Sequence, residues 1–209
     1  VSAGSGVFIS FEGGEGAGKS TQAKRLAETL RQAGHEVVLT REPGGTPGAE
    51  AIRALLLDPN TLLTPLADTL LHFAARADHV ANIIAPALAR GAIVICDRFF
   101  DSTLAYQGYG MGVDLADIRN LIALINLKPN LTFILELPDS MVKIRLTQRG
   151  GNADRYERMD PAIMARIAQG FREIAAAEPQ RCLHIDASGD IDAVFSAILN
   201  AVRSRLHLP

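Results

Sequence analysis

Eight consecutive residues constrain this chain more than any other stretch: Gly13-Gly14-Glu15-Gly16-Ala17-Gly18-Lys19-Ser20. A glycine, four residues, then Gly-Lys-Ser is the spacing of a phosphate-cradling loop, and every position of the pattern is filled. The motif carries meaning only between a strand and a helix, and both neighbours fit. Val7-Phe8-Ile9-Ser10-Phe11 is an apolar, β-prone run that reads as a buried strand. From Thr21 to Leu30, Ala23, Leu26, Ala27 and Leu30 recur at helical spacing. Glycines let successive backbone N–H groups turn inward around a phosphate chain, and the helix start adds its unpaired N–H groups and positive dipole end. Lys19 is placed to reach the β- and γ-phosphates, and the Ser20 hydroxyl to ligate magnesium.

The rest of the chain is consistent with one enzyme domain built on that loop. A length of 209 residues suits a single unit over 1–209. A hydrophobic content of 48% supports a substantial core, and 21% charge argues against disorder. The net charge of −2 gives no basic footprint for nucleic acid, and no apolar run approaches the length of a membrane span. Val1 to Gly6 is small and flexible in composition, unlike a signal peptide. Cys96 and Cys182 lie far apart in strand-like runs, which is poor material for a disulfide framework or a zinc site and fits a reducing, cytoplasmic setting.

Further strands are expected at His35–Thr40, Ala92–Cys96, Leu131–Leu137 and Arg181–Asp186. Helices are expected at Ala49–Leu57, Pro65–Ala89, Ser102–Gly108, from Asp114 to about Asn126, from Pro138 to about Gln148, at Pro161–Glu178 and at Asp190–Leu206. Pro86 predicts a kink in the longest of these, and Gly108 to Gly112 reads as a loop. His72 and Arg76 lie one turn apart and share a face. The third strand ends in Asp97-Arg98, and an acid at that position after a phosphate loop is the usual second anchor for magnesium. Arg149 to Arg158 is polar and glycine-bearing with three arginines, a composition usually met in solvated loops. Strands alternating with helices predict an α/β fold: three layers, a five-stranded parallel sheet with helices on both faces, and ligands at the carboxyl ends of the strands.

Four separated stretches carry a closer resemblance. They are Glu12 to Thr21, Thr40-Arg41-Glu42-Pro43-Gly44-Gly45-Thr46, Phe73-Ala74-Ala75-Arg76, and Asp97-Arg98-Phe99-Phe100-Asp101-Ser102-Thr103-Leu104-Ala105-Tyr106-Gln107-Gly108. In this order the chain resembles the bacterial thymidylate kinases, P-loop nucleoside monophosphate kinases, over nearly its whole length. The resemblance implies transfer of the ATP γ-phosphoryl group to dTMP, giving dTDP and ADP for dTTP synthesis, with Mg2+. It implies a homodimer, small-molecule partners only, and an ATP site on Gly13, Gly14, Glu15, Gly16, Ala17, Gly18, Lys19, Ser20 and Thr21. Lys19, Arg98, Arg149 and Arg155 stand as catalytic candidates, and Ser20 and Asp97 as magnesium ligands.

For dTMP, the resemblance points to Glu15, Glu42, Arg53, His72, Phe73, Arg76, Arg98, Thr103, Tyr106 and Gln107. Arg53 and Arg98 resemble a clamp on the acceptor phosphate, which guanidinium suits because two N–H groups engage one phosphate. Arg76 resembles a group bonding the thymine carbonyl, Thr103 and Gln107 further base contacts, Tyr106 a ring against the sugar that disfavours a 2′-hydroxyl, and Glu15 the acid facing the 3′-hydroxyl. Either His72 or Phe73 can cover the thymine face; Phe73 is favoured because a neutral ring stacks at less desolvation cost. The family that the chain resembles has two types, and with no arginine in the phosphate loop this chain resembles the one that supplies cationic groups from a lid, here expected at about 149–158, where Arg149, Arg155 and Arg158 lie. Adenylate or guanylate kinase is the nearest rival. A guanine-reading switch protein is less favoured, since no Asn-Lys pair occurs in the sequence.

Overall fold

The computed structural model describes residues 6–149, 155–156 and 158–208, with the side chains at 139, 143, 146, 148 and 149 outside that description. The five expected strands form one sheet: β1 (Val7–Gly13), β2 (Val37–Arg41), β3 (Ile93–Asp97), β4 (Leu131–Glu136) and β5 (Cys182–Asp186). Their order is β2-β3-β1-β4-β5, and every pair is parallel. The helices are α1 (Lys19–Gln32), α2 (Pro47–Leu57), α3 (Pro65–His79), α4 (Ala85–Ala89), α5 (Phe100–Thr103), α6 (Leu115–Ile125), α7 (Asp139–Arg149), α8 (Pro161–Ala177) and α9 (Ile191–Leu206).

Period-two alternation in the strands divides the core between two faces. Phe8, Val94, Cys96 and Ile134 point to one face, where they pack with residues of α3, α6 and α8 such as Phe73, Ile118 and Phe171. Ile9, Phe11, Ile93, Ile95, Phe133 and Leu135 point to the other, against Leu26 and Leu30 of α1 and Ile198 and Val202 of α9. This is the three-layer arrangement that the alternating pattern predicts. β1 is central, flanked by β3 on one side and β4 on the other, so the strand order reverses at its carboxyl end. Crevices in open α/β sheets form at such a reversal. Here the phosphate loop occupies it, with Asp97 in register with Phe11 and Arg41 on the neighbouring strands.

Local chemistry starts most of the helices. Thr46, Thr64, Asp114, Asp160 and Asp190 each accept a backbone N–H of the following turn, and Pro47, Pro65 and Pro161 take early positions where no N–H is needed. Pro86, expected to kink the long helix, lies in the first turn of α4, and the irregularity falls before it, as a π turn at Val80–Ile84 where Ala85 N–H reaches back to Val80 C=O. The expected loop at Gly108–Gly112 differs: Leu104–Gly110 is a second π turn, continuing directly from α5. The glycines serve close approach there. A Cβ on Gly108 would lie 2.5 Å from the Leu115 side chain, and one on Gly110 would lie 2.7 Å from Ile167.

Candidate active site

Building outward from β1, the loop backbone turns at Gly13, Gly16 and Gly18, with φ of 125°, 72° and 88°. These left-handed steps turn successive N–H groups toward one concavity. α1 begins on Gly18 with no side-chain cap and no acid in its first turn, so its positive end faces the loop. Lys19 is buried and its ammonium donates to Gly14 C=O at 2.7 Å. Burial lowers the Lys19 pKa, Arg98 adds to the fall, and Glu15, Asp97 and Glu12 oppose it.

Two cavities meet on this loop. One of about 890 Å³ is lined by Gly16, Ala17, Gly18, Thr21, Gln22 and Arg145, and closed by Ala187, Gly189, Asp190, Ile191, Asp192 and Val194. The other, about 390 Å³, lies over the ends of β2 and β3 and is lined by Arg53, His72, Arg76, Arg98, Thr103, Tyr106 and Gln107 among others. Glu15, Lys19 and Ser20 line both. The Ser20 hydroxyl donates to the Asp97 carboxylate across this junction. Both are hard oxygen ligands, so the pair fits Mg2+.

Arg98 is the hub of the smaller cavity. It is a non-glycine residue at φ 71°, and its backbone N–H is held by Phe11 C=O at 2.8 Å. Its Nη1 donates to Gly13 C=O and Ser102 Oγ, both at 2.9 Å, and its Nη2 to Glu15 and to the Tyr106 hydroxyl at 3.3 Å. Burial alone would lower its pKa, but Tyr106, Glu15, Asp97 and Glu12 raise it, and the guanidinium stays charged. Ser102 passes the contact on to Glu12, which also accepts from Phe99 N–H at 2.7 Å. Burial and the neighbouring Asp101 push the Glu12 carboxyl up to about 8, against Ser102, Arg98 and the Phe99 N–H. Burial also raises the Tyr106 pKa, so its hydroxyl remains a neutral donor.

At the far end, Arg76 is almost fully buried and held in a fixed pose. Its Nε donates to Glu42 at 2.7 Å and both terminal nitrogens to Thr103 Oγ1 at 3.2 Å, and it lies over the Phe73 and Phe99 rings. Glu42 is also met by His79 Nδ1 at 3.0 Å, and His79 Nε2 by Thr40 at 2.7 Å. Glu42, His79 and Cys96 converge closely, but these bonds account for Glu42 and His79 as a buried brace, and the Cys96 thiol donates to Arg98 C=O at 3.0 Å. Arg53 donates to Pro43 C=O at 2.7 Å, which brings it beside Glu42 on the same rim.

Two expectations need correcting. Phe73, favoured as the stacking ring, packs into the core with Phe8 and Phe99, while His72 lines the cavity. Helical geometry turns these neighbours about 100° apart, and the core takes the more apolar ring. Arg155 does not lie on the phosphate loop: its guanidinium is paired with Asp68 at the opposite end, because that buried carboxylate draws a cation. Of the expected lid, 150–154 and 157 lie outside the described residues, as does the Arg149 side chain, and Arg158 is exposed. Arg145, unforeseen, occupies the loop instead, donating to Ala187 C=O at 2.9 Å and to Gly16 C=O at 3.4 Å. Tyr156 and Asp68 were also missed. Asp68, His72 and Arg76 recur every four residues, a spacing that marks one helical stripe.

A doubly wound parallel sheet with a phosphate loop at its reversal, and a second cavity ringed by guanidinium groups, defines a P-loop phosphotransferase. A family model described as thymidylate kinase matches residues 11–198. Among curated proteins, the thymidylate kinase of Gluconobacter oxydans is 54% identical, covering 98% of this chain and 97% of its own length. That of Caulobacter vibrioides is 52% identical over 97% and 99%. The crystal structure of thymidylate kinase from Ehrlichia chaffeensis superposes with a TM-score of 0.79 at 38% identity, covering 96% of this chain and 99% of that one. The chain belongs to the thymidylate kinase family, and is therefore a nucleoside monophosphate kinase.

Proposed function

We propose that the chain phosphorylates dTMP with ATP, giving dTDP and ADP, and that the two cavities hold donor and acceptor. The observation that carries this reading is their junction: Glu15, Lys19 and Ser20 belong to both walls, so a γ-phosphoryl group and an acceptor phosphate meet over one ammonium. The larger cavity takes ATP along Gly13–Thr21, with Arg145 beside the loop. In the smaller one Arg98 and Arg53 hold the dTMP phosphate, Arg76, Thr103 and Gln107 the base edge, and His72 its face. Tyr106 and Glu15 meet the sugar.

Phosphoryl transfer depends mainly on positioning and charge neutralisation. Lys19 carries its charge without a mobile reach, since its stem is buried. Arg98 is already anchored at four points and loses little freedom when the phosphate arrives. Ser20 and Asp97 would hold Mg2+, which when bound spreads the phosphate charge. Arg149 and the segment to 158 act as the lid of a single catalytic unit over 1–209. Among the described residues no helix is long and apolar enough to cross a membrane, Cys96 and Cys182 are free thiols, and we place the enzyme in the cytoplasm. It acts as a homodimer through the leucines exposed on α2 and α3.

The test is ADP release with ATP and dTMP, dUMP, dCMP, AMP or GMP in turn. Fast turnover with dTMP is expected. Preference for a purine monophosphate, or slow phosphate release needing no acceptor, would refute the assignment.

A further inference from the structure

We propose that Asp68 is a specificity-determining positioning residue: by accepting the Gln107 amide N–H, its carboxylate fixes which face of that amide meets the base. The inference rests on the reading that a pyrimidine monophosphate fills the smaller cavity.

Asp68 and Gln107 are each 1% exposed, and Gln107 lines the cavity. Gln107 Nε2 donates to Asp68 Oδ1 at 2.8 Å. Asp68 Oδ2 takes the Arg155 guanidinium, and both oxygens lie 3.1–3.2 Å from the Tyr156 hydroxyl. A carboxylate paired with guanidinium accepts hydrogen bonds and cannot donate them. The amide can therefore turn only its N–H side to Asp68, which leaves Oε1, with the second Nε2–H beside it, for the base. An acceptor there matches the N3–H of thymine and uracil and opposes the N3 lone pair of cytosine. An amide not held this way could rotate and suit either base. Buried polar groups left mismatched reject the wrong partner far more strongly than a missing methyl does.

The placement is rigid. Asp68 shares one stripe of α3 with His72 and Arg76, so the amide's anchor, the covering ring and the base-end guanidinium move as one body. Tyr156 bonds both Asp68 and His72, the latter at 2.8 Å, which ties the segment after the glycine-bearing stretch to the same carboxylate.

The test compares kcat/KM for dTMP, dUMP and dCMP in wild type, Asp68→Ala and Asp68→Asn. Asp68→Ala should narrow the dTMP-to-dCMP ratio by about tenfold or more, while the dTMP-to-dUMP ratio holds, because those two share the N3–H. Asp68→Asn, which can either accept or donate, should narrow it by less. Equal losses on all three substrates would overturn the proposal and leave Asp68 an anchor for Arg155 and Tyr156. If circular dichroism shows Asp68→Ala unfolded, an unchanged dTMP-to-dCMP ratio in Asp68→Asn decides against it. A wild type that prefers AMP or GMP overturns the substrate reading itself, whereas equal losses overturn the Asp68 role alone.

Discussion

Lys19 and Glu12 are both buried ionisable groups beside Arg98, and the two face opposite demands. Lys19 lies where phosphate charge must gather, so Lys19→Ala should lower kcat by about 10²-fold or more with the circular dichroism spectrum unchanged. Near-normal turnover in that variant would remove Lys19 from the mechanism. Among the described residues, Glu12 is bonded by Phe99 N–H and the Ser102 hydroxyl and by no cation. In the folded chain it keeps its proton to about 8, against an ordinary value of 4.5. Between those values the folded state binds a proton that the unfolded state has lost, so its contribution is full below about 4.5 and is lost as pH rises through about 8. His72 has the opposite slope: burial and Arg76, Arg98 and Arg53 lower its pKa from 6.5, so its contribution is full above 6.5 and lost in acid. From about pH 6.5 to 8 the Glu12 slope is therefore unopposed by His72. Urea melts across that range should show wild-type stability falling with pH and Glu12→Gln falling much less. Burial raises Asp101 as well, so some slope survives in the variant. Parallel curves for the two proteins would mean that Glu12 titrates normally. The residues of this site were only partly legible. The phosphate loop and Asp97 follow a fixed local spacing, whereas Phe73 and His72 differ by a helical rotation that composition does not settle.

Elements were legible wherever the signal is local. Asp or Thr followed by proline started α3 and α8 where expected, α2 began at Pro47, two residues before the expected Ala49, and apolar runs marked all five strands. The π turns were not legible as such, because an i to i−5 bond answers to packing. Gly108 and Gly110 carry a turn former's identity but act by lacking a Cβ. Long-range ion pairs were equally hidden. Glu42 and Arg76 are 34 residues apart in sequence, and Asp101 and Arg181 are 80 apart. The second pair joins elements: Arg181, just before β5, grips Asp101 of α5 with two bonds of 2.8 Å, bonds Glu178 and Thr132, and lies over the Phe100 ring. It thereby fixes the short helix that follows Arg98 and carries Ser102 and Thr103. Arg181→Met would strand a fully buried carboxylate, at a cost of about 3–5 kcal/mol. Asp101 can relieve part of that by taking a proton, so the loss should grow from pH 6 to pH 8. Replacing both partners, Arg181→Met with Asp101→Leu, should recover most of it, since an apolar pair leaves no charge unmet. Denaturant midpoints of the three proteins check this, and a double variant no better than the single would show that the pair is not a closed unit.

At the scale of the whole molecule, α3 has two duties on opposite faces. Asp68, His72 and Arg76 form the stripe toward the smaller cavity, while Leu66 and Leu70, also one turn apart, are exposed on the other side. Leu55 of α2 is exposed next to them in sequence order, as is Leu62 in the connection, 95% accessible. α2 packs against α3, so these leucines belong to one helix pair. Apolar side chains grouped in this way are the expected core of a protein interface. If two copies meet there, the interface braces from behind the helix that reads the base, and dimerisation and dTMP affinity are linked. Leu66→Glu with Leu70→Glu places charge in that contact and should convert the protein to single chains in sedimentation velocity. Because the braced helix then loses its support, KM for dTMP should rise while KM for ATP, set by a cavity on α1 and the 187–194 segment, stays within about twofold. Ile191→Glu serves as the control, an equally exposed apolar residue on α9, remote in sequence from the leucines, whose replacement should leave the mass at two chains. A wild type that sediments as one chain would end the dimer assignment. A leucine variant that dissociates with an unchanged KM for dTMP would keep the dimer and deny its link to the base-reading helix.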